Sequence, residues 1–173
     1  MIAIHRLADR RFAPWKNGGG QTAEIICQPP GAGIDDFAWR ISTARVAASG
    51  PFSTFPGVAR TLCVLEGGPM VLAFDDGRTE TVTEASGPVR FSGDIGCQAT
   101  LTGPALLDLN VMCRAPYGCH VGPPWSETPK QVVARYLLAL ADGAGLSRYD
   151  LVELDPHQPP PAAAGLCIDI LEG

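Results

Sequence analysis

The sequence has little positive charge, and what it has is scattered. Lys and Arg number 13 in 173 residues against 18 Asp and Glu, for a net charge of −5 and a pI near 5.1. Nucleic-acid surfaces neutralise phosphates with clustered Lys and Arg, so no nucleic-acid partner is expected. No apolar run approaches the roughly 20 residues that a membrane helix needs, so no membrane partner is expected either. The first residues, MIAIHRLADRR, lack the apolar core and cleavage site of a signal peptide, and a cytoplasmic location follows as the expectation. Six cysteines are present, but none forms a CxxC pair. Among apolar neighbours in a reducing compartment they read as small buried hydrophobes. Cys119 and His120 are the one adjacent pair with ligand or nucleophile chemistry. Neighbours on a strand face opposite ways, and a catalytic base is normally adjacent in space rather than in sequence. There is no repeat and no charged tail.

What is present is an ordinary apolar content, 46%, in a length that suits one sizeable core. Twenty glycines and 16 prolines punctuate the chain. Between them lie short β-branched or alternating runs, which predict strands over Thr22–Cys27, Phe37–Val46, Arg60–Leu65, Met70–Phe74, Glu80–Val82, Gly87–Phe91, Gln98–Leu101 and Leu106–Cys113. Further runs cover Val132–Leu140, Tyr149–Leu154 and Leu166–Leu171. Short strands at this spacing predict an all-β sandwich or barrel, and Asp75-Asp76-Gly77 predicts a hairpin turn. From Thr128 to Gly143 the sequence is ambiguous. Thr128-Pro129 could cap a helix that stops at Gly143, but VVARYLLALADG reads better as a long strand among strands. ELDPHQPPPAAAG reads as a surface loop.

Three strands carry polar residues on one face. In FAWRISTARV, Arg40, Ser42 and Ala44 share a face opposite Trp39, Ile41 and Thr43; in LLDLNVM, Asp108 and Asn110 share one opposite Leu107, Leu109 and Val111. Arg60 shares a face with Leu62 and Val64. For isolated strands such faces meet solvent. In a closed small barrel one face lines an interior able to hold a ligand, and the polar cluster must then be paired or ligand-bound. The stretch PWKNGGGQT poses a related choice. It is either a bare glycine turn with Lys16 in solvent, or a cover over a barrel mouth. As a cover, Trp15 would be an apolar wall, Lys16 a charge and Asn17 an amide, with Gly18–Gly20 exposing backbone N–H groups to an anion. It does not match a phosphate P-loop.

PWKNGGGQT, WRIS, GPFSTFPGVARTLCVLEGG, FSGD and DLNVM together resemble the HutD/Ves family of cupin-fold proteins, in the family's order from Pro14 to Met112. The resemblance implies a cupin-type (RmlC-like) β-barrel or jelly roll in residues 1–112. Residues 113–173 would form a second, degenerate cupin half packed against the first, as one compact unit. Metal-binding cupins carry two His and a Glu before an apolar-Glu-Gly turn, and a third His later. Aligned on VLEG, this chain has Ser53, Phe55 and Arg60 at the first three positions and Gly96 at the fourth. No metal and no other cofactor is therefore expected, because these side chains offer a divalent ion nothing useful. The guanidinium at Arg60 suits a carboxylate or phosphate instead, with Arg40 as a second; alternatively Arg60 pairs with Asp108 as a buried structural ion pair.

HutD is associated with bacterial histidine utilisation. Two functions fit. One is a metal-free, non-enzymatic cupin that binds a small anionic metabolite of histidine degradation, such as urocanate or formiminoglutamate, as a sensor or flux modulator. Its expected ligand-binding residues are Trp15, Lys16, Asn17, Gly19, Thr22, Arg40, Ser42, Ser53, Phe55, Arg60, Asp108 and Asn110. The other is a metal-independent isomerase, lyase or hydrolase acting on a small carboxylic acid, with Asp108 as general base and Lys16 or Arg60 stabilising charge. Whether the chain is an enzyme is left open, and so is a homodimer.

Overall fold

The computed structural model describes residues 2–123, 131–161 and 164–173. Its described residues form strands β1 (Ala3–His5), β2 (Ala13–Pro14), β3 (Gly20–Gln28), β4 (Trp39–Val46), β5 (Gly50–Phe52), β6 (Val58–Glu66), β7 (Met70–Phe74) and β8 (Thr79–Val82), followed by β9 (Val89–Ser92), β10 (Cys97–Leu101), β11 (Leu106–Arg114), β12 (Tyr117–Gly122), β13 (Val132–Ala139), β14 (Leu151–Leu154) and β15 (Gly165–Glu172). One short 3₁₀ turn spans Leu7–Asp9. Among the described residues no helix is long and apolar enough to cross a membrane. The chain divides into two compact units, one of residues 11–115 and one of residues 1–10 with 116–173.

The larger unit holds a six-stranded antiparallel sheet, ordered β2-β3-β4-β11-β6-β9, and a four-stranded one, ordered β5-β10-β7-β8. Leu62 and Val64 of the first sheet pack with Met70, Leu72, Phe74, Val82 and Ala99 of the second in a single apolar core. Two sheets face to face across such a core make a sandwich, here the cupin-type jelly roll that the resemblance implies. No continuous ladder among the described residues closes the two sheets into a barrel.

In the six-stranded sheet β11 is central, paired antiparallel with β4 on one side and β6 on the other. Both faces of these strands are buried, which is why their sequences read as near-continuous apolar runs. Asp75-Asp76-Gly77 does form the β7–β8 hairpin; Gly77 has φ +90° and donates its N–H to the Phe74 carbonyl at 2.9 Å.

The smaller unit is one five-stranded antiparallel sheet, β1-β14-β13-β15-β12. Val132–Ala139 is a strand, as preferred over a helix from the sequence; Thr128 and Pro129, the alternative helix start, lie outside the described residues. A sequence boundary was expected after Met112. The observed one follows Ala115, and the first ten residues group with the C-terminal unit rather than with the larger one. The reason is physical. Ala3, Ile4 and His5 complete the edge of β14. Arg6 Nη1 then reaches the buried Asp150 carboxylate at 2.8 Å, and the Leu7 N–H donates to the same group.

Candidate functional site

Inside the larger unit a cavity of about 600 Å³ opens between the inner faces of its strands. Strand register explains its lining. Asp108 of β11 lies opposite Ala44 on β4 and Val64 on β6; Asn110 lies opposite Ser42 and Leu62; Met112 lies opposite Arg40 and Arg60. Residues two apart on a strand share a face, so one stripe of β11 carries Asp108, Asn110 and Met112 into the same space. The solvent-facing alternative for these residues is thereby overturned. Asp108 is 2% exposed, Arg60 6% and Asn110 8%.

Of the twelve expected ligand-binding residues, Trp15, Lys16, Asn17, Thr22, Arg40, Ser42, Ser53, Phe55, Arg60, Asp108 and Asn110 line this cavity. Gly19 does not. Its N–H donates to Asn17 Oδ1 at 2.9 Å, and its carbonyl accepts from Ala47 and Ala48. The Gly18 N–H is likewise spent on the Trp15 carbonyl at 3.1 Å. The expected cradle of free glycine N–H groups is corrected accordingly: Gly18 and Gly19 make a tight turn. Gly20 is required for another reason. A Cβ there would lie 2.5 Å from the Arg45 carbonyl oxygen and 3.0 Å from the Trp15 ring. The turn thus sets Trp15 against the sheet, where its Nε1–H donates to Thr22 Oγ1 at 2.7 Å and its ring meets Phe52 edge-on at 6.0 Å.

Gly96, expected beside Ser53, Phe55 and Arg60, is also absent from the lining. It precedes β10, and its α-carbon faces the Asp75 carboxylate. Four residues that the sequence patterns did not single out do line the cavity: Pro14, Pro51, Phe52 and Met112. Met112 was available from alternation along β11; Pro14, Pro51 and Phe52 sit in short Pro-containing strands with no such signal.

The electrostatics centre on Arg60. Its guanidinium carbon lies 4.9 Å from the Phe91 ring centroid, 5.0 Å from Phe55 and 5.8 Å from Phe52. Nη1 donates to the Ser53 carbonyl at 3.1 Å, and Nε has no partner among the described residues. Burial pulls its pKa down to about 10, against the pull of Asp108, so it stays charged at neutral pH. No Arg60–Asp108 ion pair forms, although each carboxyl or guanidinium feels the other. Burial pushes the Asp108 carboxyl up to about 7, despite Arg60 and a backbone hydrogen bond from Ala44. Asp108 Oδ1 and Asn110 Oδ1 have no hydrogen-bond partner among the described residues. Arg40 lines the cavity too, but its Nε donates to Glu24 at 2.8 Å, so its charge is already partly met.

Ser53, Phe55 and Arg60 line the cavity, as the alignment on VLEG expected. Among the described residues no three His, Cys, Asp or Glu side chains are grouped so as to hold a metal ion. His5, His120 and His157 all belong to the smaller unit; His5 Nε2 is 2.7 Å from Glu153. Cys63, Cys97, Cys113 and Cys167 are buried, and Cys27 and Cys119 are half-buried.

Comparison with known proteins follows the same lines. The chain is 45% identical over 101 residues to protein Ves of Citrobacter koseri, a match covering 58% of this chain and 51% of that one. It is 40% identical over 111 residues to an uncharacterised Pseudomonas putida protein from the region 3′ of hutC, covering 64% of this chain and 57% of that one. The chain spans about half the length of the curated relatives it matches. Among solved structures, HutD from Pseudomonas fluorescens SBW25, in a formate condition, superposes with a TM-score of 0.83 at 26% identity over 100% of both chains. A protein of unknown function from Pseudomonas aeruginosa PAO1 superposes with a TM-score of 0.80 at 30% identity, covering 99% of this chain and 98% of that one. The HutD family model itself matches residues 7–144, which take in every residue of the cavity, and the chain belongs to the HutD family.

Proposed function

We propose that the cavity binds a small anionic metabolite without a metal, and that the chain acts as a sensor or flux modulator of histidine degradation. One observation carries this reading. Arg60 is a buried cation with no carboxylate of the described residues in ion-pair reach, held among three aromatic rings at the wall of a cavity. An uncompensated buried charge is strongly unfavourable, and a bound anion removes that penalty with a forked hydrogen bond. The connection to histidine breakdown rests on family membership and on the named position of the Pseudomonas putida relative beside hutC.

Calorimetry with urocanate, formiminoglutamate, formate and phosphate tests the reading. Arg60→Gln is expected to weaken the preferred anion about ten-fold or more, since buried charge-assisted hydrogen bonds are strong. Lys16→Gln is expected to have a smaller effect that fades with salt, because Lys16 is exposed and screened. An Arg60→Gln protein that folds normally and binds as tightly as wild type would remove the basis for the site.

A second reading draws on Asp108. A carboxyl near neutrality inside a cavity suits general acid–base chemistry, and the same chain would then be an enzyme acting on a small carboxylic acid. A turnover screen over the same compounds separates the two readings: binding without product formation supports the sensor.

A further inference from the structure

Beyond Arg60, the cavity has a second chemistry that an anion alone leaves unmet. Asp108 and Asn110 stand two residues apart on the inner face of β11, so their Cβ atoms are about 7 Å apart along the strand. Both are more than nine-tenths buried, and the Oδ1 of each lacks a hydrogen-bond donor among the described residues. Their cross-strand neighbours are Ala44 and Val64 for Asp108, and Ser42 and Leu62 for Asn110. Three of those four side chains cannot donate, and the Ser42 hydroxyl makes no hydrogen bond to either acceptor. Arg60 belongs to the next inward row, opposite Met112. The inner wall is therefore graded along the strands, with a cation at one end and two unpaired acceptors at the other.

A plain carboxylate answers only the first half. Its oxygens satisfy Arg60, while the Oδ1 atoms of Asp108 and Asn110 remain without donors among the described residues, an arrangement that buried polar groups rarely tolerate. Building on the anion-binding reading above, we infer that the cavity takes a bifunctional ligand whose carboxylate meets Arg60 and whose N–H-bearing end donates to Asp108 and Asn110. A hydroxyl brings one donor; a primary amide, an amidine or a protonated azole brings two, one for each acceptor. Burial raises the titration of Asp108 against the pull of Arg60 and the Ala44 N–H, and a further donor from a ligand would favour its ionised form.

The test is a matched pair of probes on the full chain. Succinamate carries a carboxylate and a primary amide on a short spacer. 4-Oxopentanoate keeps the carboxylate, spacer and carbonyl, and replaces the amide nitrogen by a methyl group. Calorimetry on wild type is expected to give succinamate about ten-fold or more the affinity of 4-oxopentanoate, the scale of hydrogen bonds that involve a charged group. Arg60→Gln is expected to weaken both probes and keep their ratio. Asp108→Asn and Asn110→Val are each expected to shrink the ratio toward one while leaving 4-oxopentanoate binding in place. Thermal melting of each variant confirms that it is folded, and either of the two suffices for the comparison. Equal affinities in wild type, with Arg60 dependence intact, overturn the bifunctional ligand and leave the anion site standing. Asp108 and Asn110 variants that weaken both probes alike overturn it in the same way. If neither probe nor formate binds, both readings fall together.

Discussion

Single side chains already separate what packing needs from what a ligand needs. Asn110 Oδ1 and Asp108 Oδ1 are buried without donors among the described residues, so each holds back stability in the empty protein. Asn110→Leu, in reach of Leu62 across the β11–β6 pair, is expected to match or exceed wild-type stability in urea denaturation while impairing the site. A loss above about 2 kcal/mol would mean that Asn110 is structurally satisfied after all. Asp108 adds a pH signature. Its carboxyl ionises near 3.8 in an unfolded chain and near 7 when folded. Its contribution to stability is therefore full below the lower value, and is lost as pH rises to the upper one. Arg60, whose charge opposes the shift, stays protonated across that window. Asp108→Asn should accordingly gain on wild type by a few kcal/mol between about pH 5 and about pH 7.5. A constant difference between the two proteins would contradict this. Much of the site was legible from the sequence, because polar residues at alternate positions among leucines stand out in Leu106–Cys113. The pairing of Arg40 with Glu24 was not. A register shift between Glu24 and Ile26 resets the alternation in β3, and no sequence pattern announces such a bulge.

Strands show a different balance between legible and hidden. Long, fully buried strands such as β4, β6 and β11 were readable from their apolar runs. Short edge strands were not. β5 contains Pro51, β2 ends at Pro14, and β12 carries Gly118 and Gly122, so each looks like a turn by composition. The smaller unit's sheet has its own internal specification at β13 and β15. Arg135 pairs directly with Asp169 across the ladder, Nε to Oδ1 at 2.6 Å and Nη2 to Oδ2 at 3.1 Å, and Nη1 reaches the Gln158 carbonyl at 2.6 Å. Both side chains are fully buried. Breaking one half of such a pair leaves a charge without its partner. Asp169→Asn is expected to cost about 3–5 kcal/mol by urea denaturation, and the double replacement Arg135→Met with Asp169→Leu to recover most of that. A mild Asp169→Asn variant would show that the pair is solvated. The thiol of Cys167, beside Asp169 at 3.6 Å, is pushed up to about 12 chiefly by burial and then by that carboxylate, which makes it a poor nucleophile at neutral pH.

For the whole molecule, the division of the chain matters more than its length. The first ten residues belong with residues 116–173, a grouping that local sequence cannot reveal because AIH looks like any short apolar segment. Asp150 anchors the join. Burial works to raise its carboxyl, but the N–H groups of Leu7 and Ser147 and the Arg6 guanidinium together hold it below its ordinary value. Removing residues 1–10 is expected to speed amide hydrogen exchange in β14 and β13 by an order of magnitude or more, with β4 and β11 changing least, since local opening follows lost local contacts. Equal protection in β14 with and without the segment would refute the anchoring role. The same join has a kinetic side. Residues 5 and 153 are 148 positions apart, so during synthesis β1 leaves the ribosome long before the strand it must meet exists. Closing so distant a contact is slow. Until it closes, the outer edge of β14 stays a free template, and β1 from a second molecule fits it as well as the chain's own. High concentration during refolding should therefore favour strand-exchanged dimers, a product that dilution would suppress.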